Sequence, residues 1–173
     1  MYKFLVMLLL CSKITYGQFT KAKLIASGLT CSMCNLATQK QLQSLNFIDS
    51  IVPDLELNAF HIYFNQKQEI EFDLLKKKVE DAGFFVAELK VTYKKNSTIN
   101  YRKPFLISST SLLHTDKFDE QKEFQEFKFI DEGFVTAKEN KKYRKTRSEM
   151  QLPGDGNEIP IILNQKIYYV LAQ

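Results

Sequence analysis

Cysteine and histidine are scarce in this sequence, which has three cysteines and two histidines among 173 residues. So few cysteines exclude a scaffold stapled by several disulfides. Neither histidine, His61 or His114, has a visible catalytic neighbour. No serine–histidine–aspartate arrangement, phosphate-binding loop or paired acidic site stands out either. The sequence therefore predicts a protein that is not an enzyme.

A strong charge imbalance is also lacking, since 24 basic residues face 20 acidic ones and the net charge is only +4. Nucleic-acid binding proteins usually carry a strongly basic face, so that class is not expected. The chain is 45% hydrophobic and 25% charged, which is typical of one or two globular domains. Beyond the first residues no long apolar run occurs, and we expect a soluble protein without stable membrane insertion.

Residues 1–17 have the three-part layout of a secretory signal peptide. Lys3 gives a positive start, residues 4–11 are apolar, and small Gly17 marks the expected cleavage site. The apolar run is too short to span a bilayer in the usual way, although an uncleaved anchor is the alternative. A lipoprotein acylated at Cys11 is disfavoured, because Leu10 stands where a small residue is needed. We therefore expect a periplasmic or secreted protein.

Removal of this leader changes the inventory of functional groups. Cys11 is lost, and Cys31 and Cys34 become the only thiols. The loss of Lys3 and Lys13 lowers the net charge to about +2. Any thiol chemistry of the exported protein must therefore take place at one close pair, as a metal site or a local redox couple.

That pair lies in residues 28–34, with the sequence Gly-Leu-Thr-Cys-Ser-Met-Cys. Before it, residues 19–27 alternate as in a strand with one buried face. After it, the apolar period becomes helical, with Ala37, Thr38, Gln41, Leu42 and Leu45 on one face. The cysteines are thus predicted in a loop that opens a helix, with Cys34 in its first turn.

The next residues complete an α+β pattern. Residues 48–57 predict an edge strand, because Pro53 cannot donate to a ladder. A hairpin turn at Asn58 and Ala59 precedes a third strand at residues 60–64. A second helix follows, capped by Asp73 and ended by Gly83, and residues 84–93 form a fourth strand. This order, strand–helix–strand–strand–helix–strand, is the ferredoxin-like plan.

Residues 94–100 are polar and predict a linker, and the Asn96-Ser97-Thr98 triplet within them is a formal glycosylation acceptor of little weight. Residues 101–173 predict a small, mostly β domain of barrel-like form. Its expected strands cover residues 105–107, 123–130, 159–163 and 167–171, the last two as a hairpin. A basic helix is expected at residues 137–147. Its charges favour a solvated face, with docking to an acidic partner or a membrane as the alternative.

Two thiolates at a helix N-terminus favour a soft metal ion. The helix dipole and free amides lower the pKa of Cys34, and thiolates suit monovalent copper or silver, mercury, zinc or cadmium. A structural zinc site would need four ligands, and no second cysteine pair supplies them. The alternative to a metal site is that the two cysteines form a disulfide or remain inert thiols. A thioredoxin-like redox pair is another, weakened by the lack of Gly-Pro between the cysteines.

Residues 28–34 resemble the G-[ML]-T-C-x-x-C loop of heavy-metal-associated domains. Asp81-Ala82-Gly83-Phe84 is similar to the second motif of that family, and the resemblance extends over residues 19–93. It implies the ferredoxin-like fold for domain 18–93 and metal ligation by Cys31 and Cys34. It also implies relatives among copper chaperones, copper-pump modules and periplasmic mercury-binding proteins. Residues 101–173 lie outside it.

Four further residues are expected to support the metal loop: Gly28, Thr30, Met33 and Phe84. Phe84 is expected beside the loop, where family members often carry Tyr, His or Lys. Met33 is more simply a core-capping residue than a third ligand. His61 is expected at the surface, and neither His114 nor Met150 is favoured to complete the site. The resulting hypothesis is an exported protein that holds one ion, copper(I) first, for transfer to a transporter or cuproprotein, or for sequestration.

Overall fold

One continuous open sheet of eight strands runs through this computed structural model, which describes residues 19–95, 105–107, 111–115, 117–150 and 166–173. The strand order is β2-β3-β1-β4-β7-β8-β6-β5. The strands are β1 (Phe19–Ser27), β2 (Ile48–Asp54), β3 (Ala59–Phe64), β4 (Phe85–Lys94), β5 (Phe105–Ile107), β6 (Ser111–Thr115), β7 (Phe124–Phe129) and β8 (Lys166–Ala172). The helices are α1 (Ser32–Gln43), α2 (Phe72–Asp81) and α3 (Ala137–Glu149).

The first six elements have the predicted ferredoxin-like order, and β1 lies between β3 and β4, antiparallel to both. Ala22, Leu24 and Ala26 of β1 are buried, as their alternation predicts. The strand that contains Pro53 is at the sheet edge, which confirms the expectation from its missing N–H. The hairpin β2–β3, the α1 loop and the start of β4 consequently lie at one end of the sheet, here called the cysteine end.

Several predicted boundaries are wrong by one to three residues. The hairpin turn is at residues 55–58, not at Asn58 and Ala59, because the Asp54 carboxylate accepts the amides of Glu56 and Leu57 at 3.1 and 3.0 Å. Asn58 then adopts a left-handed φ of 49°. Side-chain capping by Asp54 therefore ends β2 earlier than the apolar pattern indicates.

Asp73 does not cap α2 as expected. The N-cap is Glu71, whose side chain makes no capping bond, and Asp73 lies in the first turn. Phe72 is fully buried at the first helical position, so the helix starts two residues earlier than predicted. The Asp73 carboxylate forms an ion pair with Lys166 of β8 instead. Gly83, at φ 87°, follows the helix end as predicted.

Described residues from 105 onward extend the same sheet, and the expected linker at 94–100 begins inside β4, with residues 96–100 outside the described part. β7 pairs antiparallel with β4, and β8 pairs antiparallel with β7 and parallel with β6. The expected barrel is not found, because the described strands leave the sheet open, with β2 and β5 at its edges. The strand β6 was not predicted. The expected strand at residues 159–163, its turn at Asn164 and Gln165, and the Asn96 triplet lie outside the described residues.

An aromatic cluster joins the two parts of the sheet. Phe72 of α2 packs on Phe129 of β7 and on Tyr168 of β8, with ring centroids 4.8 and 5.7 Å apart. Phe134 completes this aromatic seam, 5.1 Å from Phe129 and 5.7 Å from Tyr168. All four side chains are buried. Burial and ring packing of this size are worth several kcal/mol in a core, so the seam binds both parts into one hydrophobic core.

Candidate metal site

Cys31 and Cys34 lie where β1 passes into α1. Gly28 leaves β1 with a left-handed φ of 89°, a conformation that favours glycine. Leu29 is buried and anchors the loop, whereas Thr30 and Cys31 are exposed. One residue is therefore fixed in the core while the next two stand at the surface.

Cys31 is the N-cap residue of α1, and its Sγ atom accepts the backbone N–H of Cys34 at 3.2 Å. Sulfur here takes the position that a serine or aspartate oxygen usually occupies at a helix start. No acidic residue occurs in the first turn of α1. The partial positive charge of the helix N-terminus is thus left to the two sulfurs, and it favours their thiolate forms.

The structure joins Cys31 and Cys34 as a disulfide, with Cα atoms 5.3 Å apart. The two sulfurs therefore converge without any rearrangement of the backbone. Cys34 is partly buried against the core and Cys31 is exposed. Convergent sulfurs at the surface suit both a soft metal ion in the reduced state and a disulfide in the oxidised state.

Two polar residues that the sequence analysis did not assign to the site hold this helical turn. Asn35 is buried, and its Nδ2 donates to the carbonyl oxygen of Cys31 at 3.4 Å. Thr38, also buried, donates to the carbonyl oxygen of Cys34 at 3.0 Å. Thr38 was placed on the inward helical face, but Asn35 was missed. A polar residue directly after the second cysteine is the signal that could have identified it.

Phe84 lies against the loop. A Cβ atom on Gly28 would be 3.5 Å from Phe84 Cδ1, so the ring packs in contact with the backbone that leads to Cys31. Phe84 is partly buried and precedes β4, which begins at Phe85 rather than at Phe84 as predicted. The aromatic side chain thus supports the loop by packing and offers it no hydrogen bond.

Met33 is not a core cap, since 69% of its surface is exposed. It lies at the second position of α1 and points outward, whereas Asn35, Thr38 and Leu42 are the buried residues of that helix. Phe85, 68% exposed, and the hairpin residues Leu55 and Leu57 are further exposed apolar side chains at the cysteine end. The cysteines therefore lie among exposed hydrophobic groups.

The other candidate side chains are not grouped with the cysteines. His61 lies partly buried in β3, where its backbone pairs with Lys23 and Val52. His114 is buried in β6 beside Tyr169, with three strands between β6 and β1. Met150 is buried at the end of α3. Among the described residues, no group of three or more His, Cys, Asp or Glu could hold a metal ion.

A cluster of partly buried charged groups lies on the other face of the sheet. Lys128 Nζ lies 2.8 Å from Glu88 and 2.9 Å from Glu139. Burial lowers the pKa of Lys128, but the two carboxylate hydrogen bonds outweigh it and raise the pKa above its ordinary value. This cluster attaches α3 to the sheet, and we assign it a structural role.

Comparisons with solved structures find similarity over part of the chain. The yeast copper transporter domain Ccc2a is 28% identical, with 38% of this chain and 88% of that one covered and a TM-score of 0.35. The CopZ metallochaperone is 20% identical over 39% and 100% of the two chains, with a TM-score of 0.36. A copper binding domain from HMA7, a P-type ATPase, is 28% identical over 38% and 86%, with a TM-score of 0.34. No protein-family model matches the sequence, and no curated protein does.

The described helices include none that is long and apolar enough to cross a membrane. The expected leader, residues 1–17 with Cys11, lies outside the described residues. Its cleavage after Gly17 and the periplasmic or secreted location stay predictions, as does the division into domains 18–93 and 101–173.

Proposed function

We propose that this chain is an exported metal-binding protein that holds one soft ion, copper(I) in the first place, on Cys31 and Cys34 and passes it to a partner protein. The observation that carries the proposal is the helix-capping geometry of the pair. The Cys31 sulfur accepts the amide of Cys34 at the start of α1, and both sulfurs converge at the surface. No catalytic role is proposed for any residue.

The binding chemistry requires the reduced pair. Reduction of the disulfide by a dithiol takes up two electrons and two protons and gives two thiols, which lose protons as the sulfurs bind the ion. The helix N-terminus favours this loss, because it stabilises negative charge on sulfur. Thiolates select soft ions, so silver(I) and mercury(II) would also bind, and zinc(II) or cadmium(II) less specifically.

Release of the ion follows from the small number of ligands. Two sulfurs at an exposed loop leave open positions around the metal, so thiolates of a partner can approach before the first bonds break. A structural site with four protein ligands would lack such positions. The low ligand number therefore favours transfer to a transporter or cuproprotein over permanent storage, with sequestration as the simpler use.

The test is a copper(I) titration of the reduced protein against a competing chelator, under anaerobic conditions. We expect one equivalent to bind to the wild-type protein and none to bind tightly to a Cys31→Ser, Cys34→Ser variant. Ser32→Ala, between the two cysteines, is the matched control and should bind normally. Stoichiometric copper(I) binding by the variant that lacks both cysteines would contradict the proposal.

A thiol–disulfide protein is the second candidate, and the pairing of Cys31 with Cys34 in the structure favours it. In that case the pair would exchange electrons with a partner dithiol, and metal would be incidental. Measurement of the reduction potential, together with an insulin-reduction assay, separates the two. Rapid insulin reduction that is lost in Cys31→Ser, combined with weak copper binding, would favour the redox role.

A further inference from the structure

Helix α3 has no fully buried residue, and the contacts that attach it to the sheet are mainly polar, together with the Tyr143 ring, whose centroid is 5.8 Å from Lys128 Nζ. Thr136 caps its first turn, and Glu139 pairs with Lys128 of β7 at 2.9 Å. Near the other end, Arg147 donates to Asn140 at 2.7 Å and to the carbonyl oxygen of Ile130. The helix is therefore held in a fixed orientation although it contributes nothing to the hydrophobic core.

One face of this helix is a row of lysines, which we call the lysine stripe: Lys138, Lys141, Lys142 and Lys145. Residues three and four apart are neighbours on a helix, so these ammonium groups repel each other. All four are exposed. Within the part of the chain described, only Lys145 forms an ion pair, 3.7 Å from Glu149. Three of the four stripe lysines thus have no ion-pair partner among the described residues.

A cleft of about 530 Å³ connects the start of α3 with the cysteine end of the sheet. Its walls include Ser27, next to Gly28, and the exposed ring of Phe85. On the other side it is lined by Ala137 and Asn140 of α3. Lys76 and Glu80 of α2 and Glu132 also line it, whereas none of the four stripe lysines does. A molecule in this cleft would therefore touch the neighbourhood of the metal loop and the first turn of α3, beside the lysine stripe.

The chemistry of this surface fits an acidic protein. A membrane-bound amphipathic helix needs an apolar face, and α3 has none. Nucleic-acid binding surfaces need a strong overall positive field, whereas this chain carries a net charge of only +4. An acidic protein surface would neutralise the stripe, and an apolar side chain at its edge would fill the cleft beside Phe85.

We propose that the lysine stripe and this cleft form a docking surface for a partner protein that presents an acidic patch next to an exposed apolar side chain. The partner would then be held beside Cys31 and Cys34. Its use in metal transfer rests on the proposed function, but the docking itself needs no metal.

The experiment measures binding of a short fluorescent peptide, in which acidic residues flank one leucine, by fluorescence anisotropy. Charge reversal of the stripe (Lys138→Glu, Lys141→Glu, Lys142→Glu, Lys145→Glu) is expected to raise Kd by at least about tenfold. The matched control reverses four exposed lysines elsewhere: Lys40, Lys67, Lys117 and Lys122. It changes the net charge equally and should leave Kd nearly unchanged. Circular dichroism checks that both variants keep their helix content.

The cleft and the choice of partner are tested in the same assay. Phe85→Ser in the protein, or serine in place of leucine in the peptide, should each weaken binding severalfold. Equal loss of binding in the stripe and control variants, no binding of the peptide, or binding only to vesicles of anionic phospholipid would overturn the proposal. The Cys31→Ser, Cys34→Ser variant should bind the peptide normally, so failure of the metal site and failure of docking are seen separately.

Discussion

The two faces of the central sheet are covered in opposite ways. On one face, α2 buries Phe72, Leu75 and Val79 in the common core. On the other, α3 has no fully buried residue and is held by Lys128, Glu139 and Arg147. Apolar packing thus fixes the fold, whereas charge pairs fix a helix that remains available to solvent. One face of the sheet therefore supplies most of the stability of the fold, and the other face carries the proposed docking helix.

The substitution expected to destabilise the protein most is Phe129→Ala, on the apolar face. Phe129 lies at the centre of the aromatic seam, so its removal should lower the free energy of unfolding by about 3–5 kcal/mol. Urea denaturation measures this loss. Phe124→Ala is the control. Phe124 lies on the same strand but is half exposed, with Lys94 over its ring, so the loss of unfolding free energy should be less than about 1 kcal/mol. Equal losses would show that the seam does not hold the core.

Asp131 is a half-buried carboxylate whose pKa makes the stability of the fold depend on pH. Burial raises its pKa from 3.8 to about 6. The hydrogen bond that its carboxylate accepts from the Tyr169 amide, at 2.7 Å, and the charges of Arg147 and Lys166 act in the opposite direction, whereas Asp73 adds to the rise. Because the folded state holds the proton more tightly, the stabilisation is complete below about pH 4 and is lost as the pH rises through 6.

Asp131→Asn should therefore gain stability relative to the wild-type protein as the pH rises from 4 to 7, by on the order of 1–3 kcal/mol. Its amide oxygen can still accept the Tyr169 N–H. Denaturation curves at several pH values measure the difference. A difference that stays constant across this range would contradict the raised pKa.

On the polar face, Lys128→Met should leave Glu88 and Glu139 facing each other without their shared cation. The Lys128 side chain is 11% exposed and its partners somewhat more, so we expect a loss of about 1–2 kcal/mol, between exposed and buried pairs. Proteolysis within α3 should become faster than elsewhere. Lys145→Met removes an exposed pair and should change neither quantity.

At the cysteine end, two glycines allow backbone strain in the metal loop to be compared with the same strain outside it. Gly28 and Gly83 both have left-handed φ values, of 89° and 87°. Gly83→Ala meets no atom within 4 Å, so it should cost only the strain, about 1 kcal/mol. Gly28→Ala places a Cβ atom in ordinary contact with Phe84, 3.5 Å from its Cδ1, so it adds no clash, but its backbone strain falls in the loop that leads to Cys31. We expect it, unlike Gly83→Ala, to weaken copper(I) binding; equal affinities would show that strain at Gly28 does not reach the cysteines.

The local pattern predicted most of residues 19–94, because alternation and helical period there depend on one core. The edge position of β2, the place of Cys34 in the first turn of α1 and the contact between Phe84 and the loop follow from Pro53, the change of period and the element order, respectively. Asn35 was missed because a buried asparagine carries no periodic signal. The last part was harder, since β8 pairs with β6 and β7 across long sequence separations that local patterns do not encode.

The X-ray absorption spectrum of the copper(I)-loaded, reduced protein tests the central claim most directly, because it reports the atoms bound to the metal. We predict two sulfur ligands per copper ion, and an unchanged spectrum for Met33→Leu, since Met33 points away from the core into solvent beside the pair. Nitrogen or oxygen ligands, or a sulfur contribution that Met33→Leu removes, would contradict a site made by Cys31 and Cys34 alone.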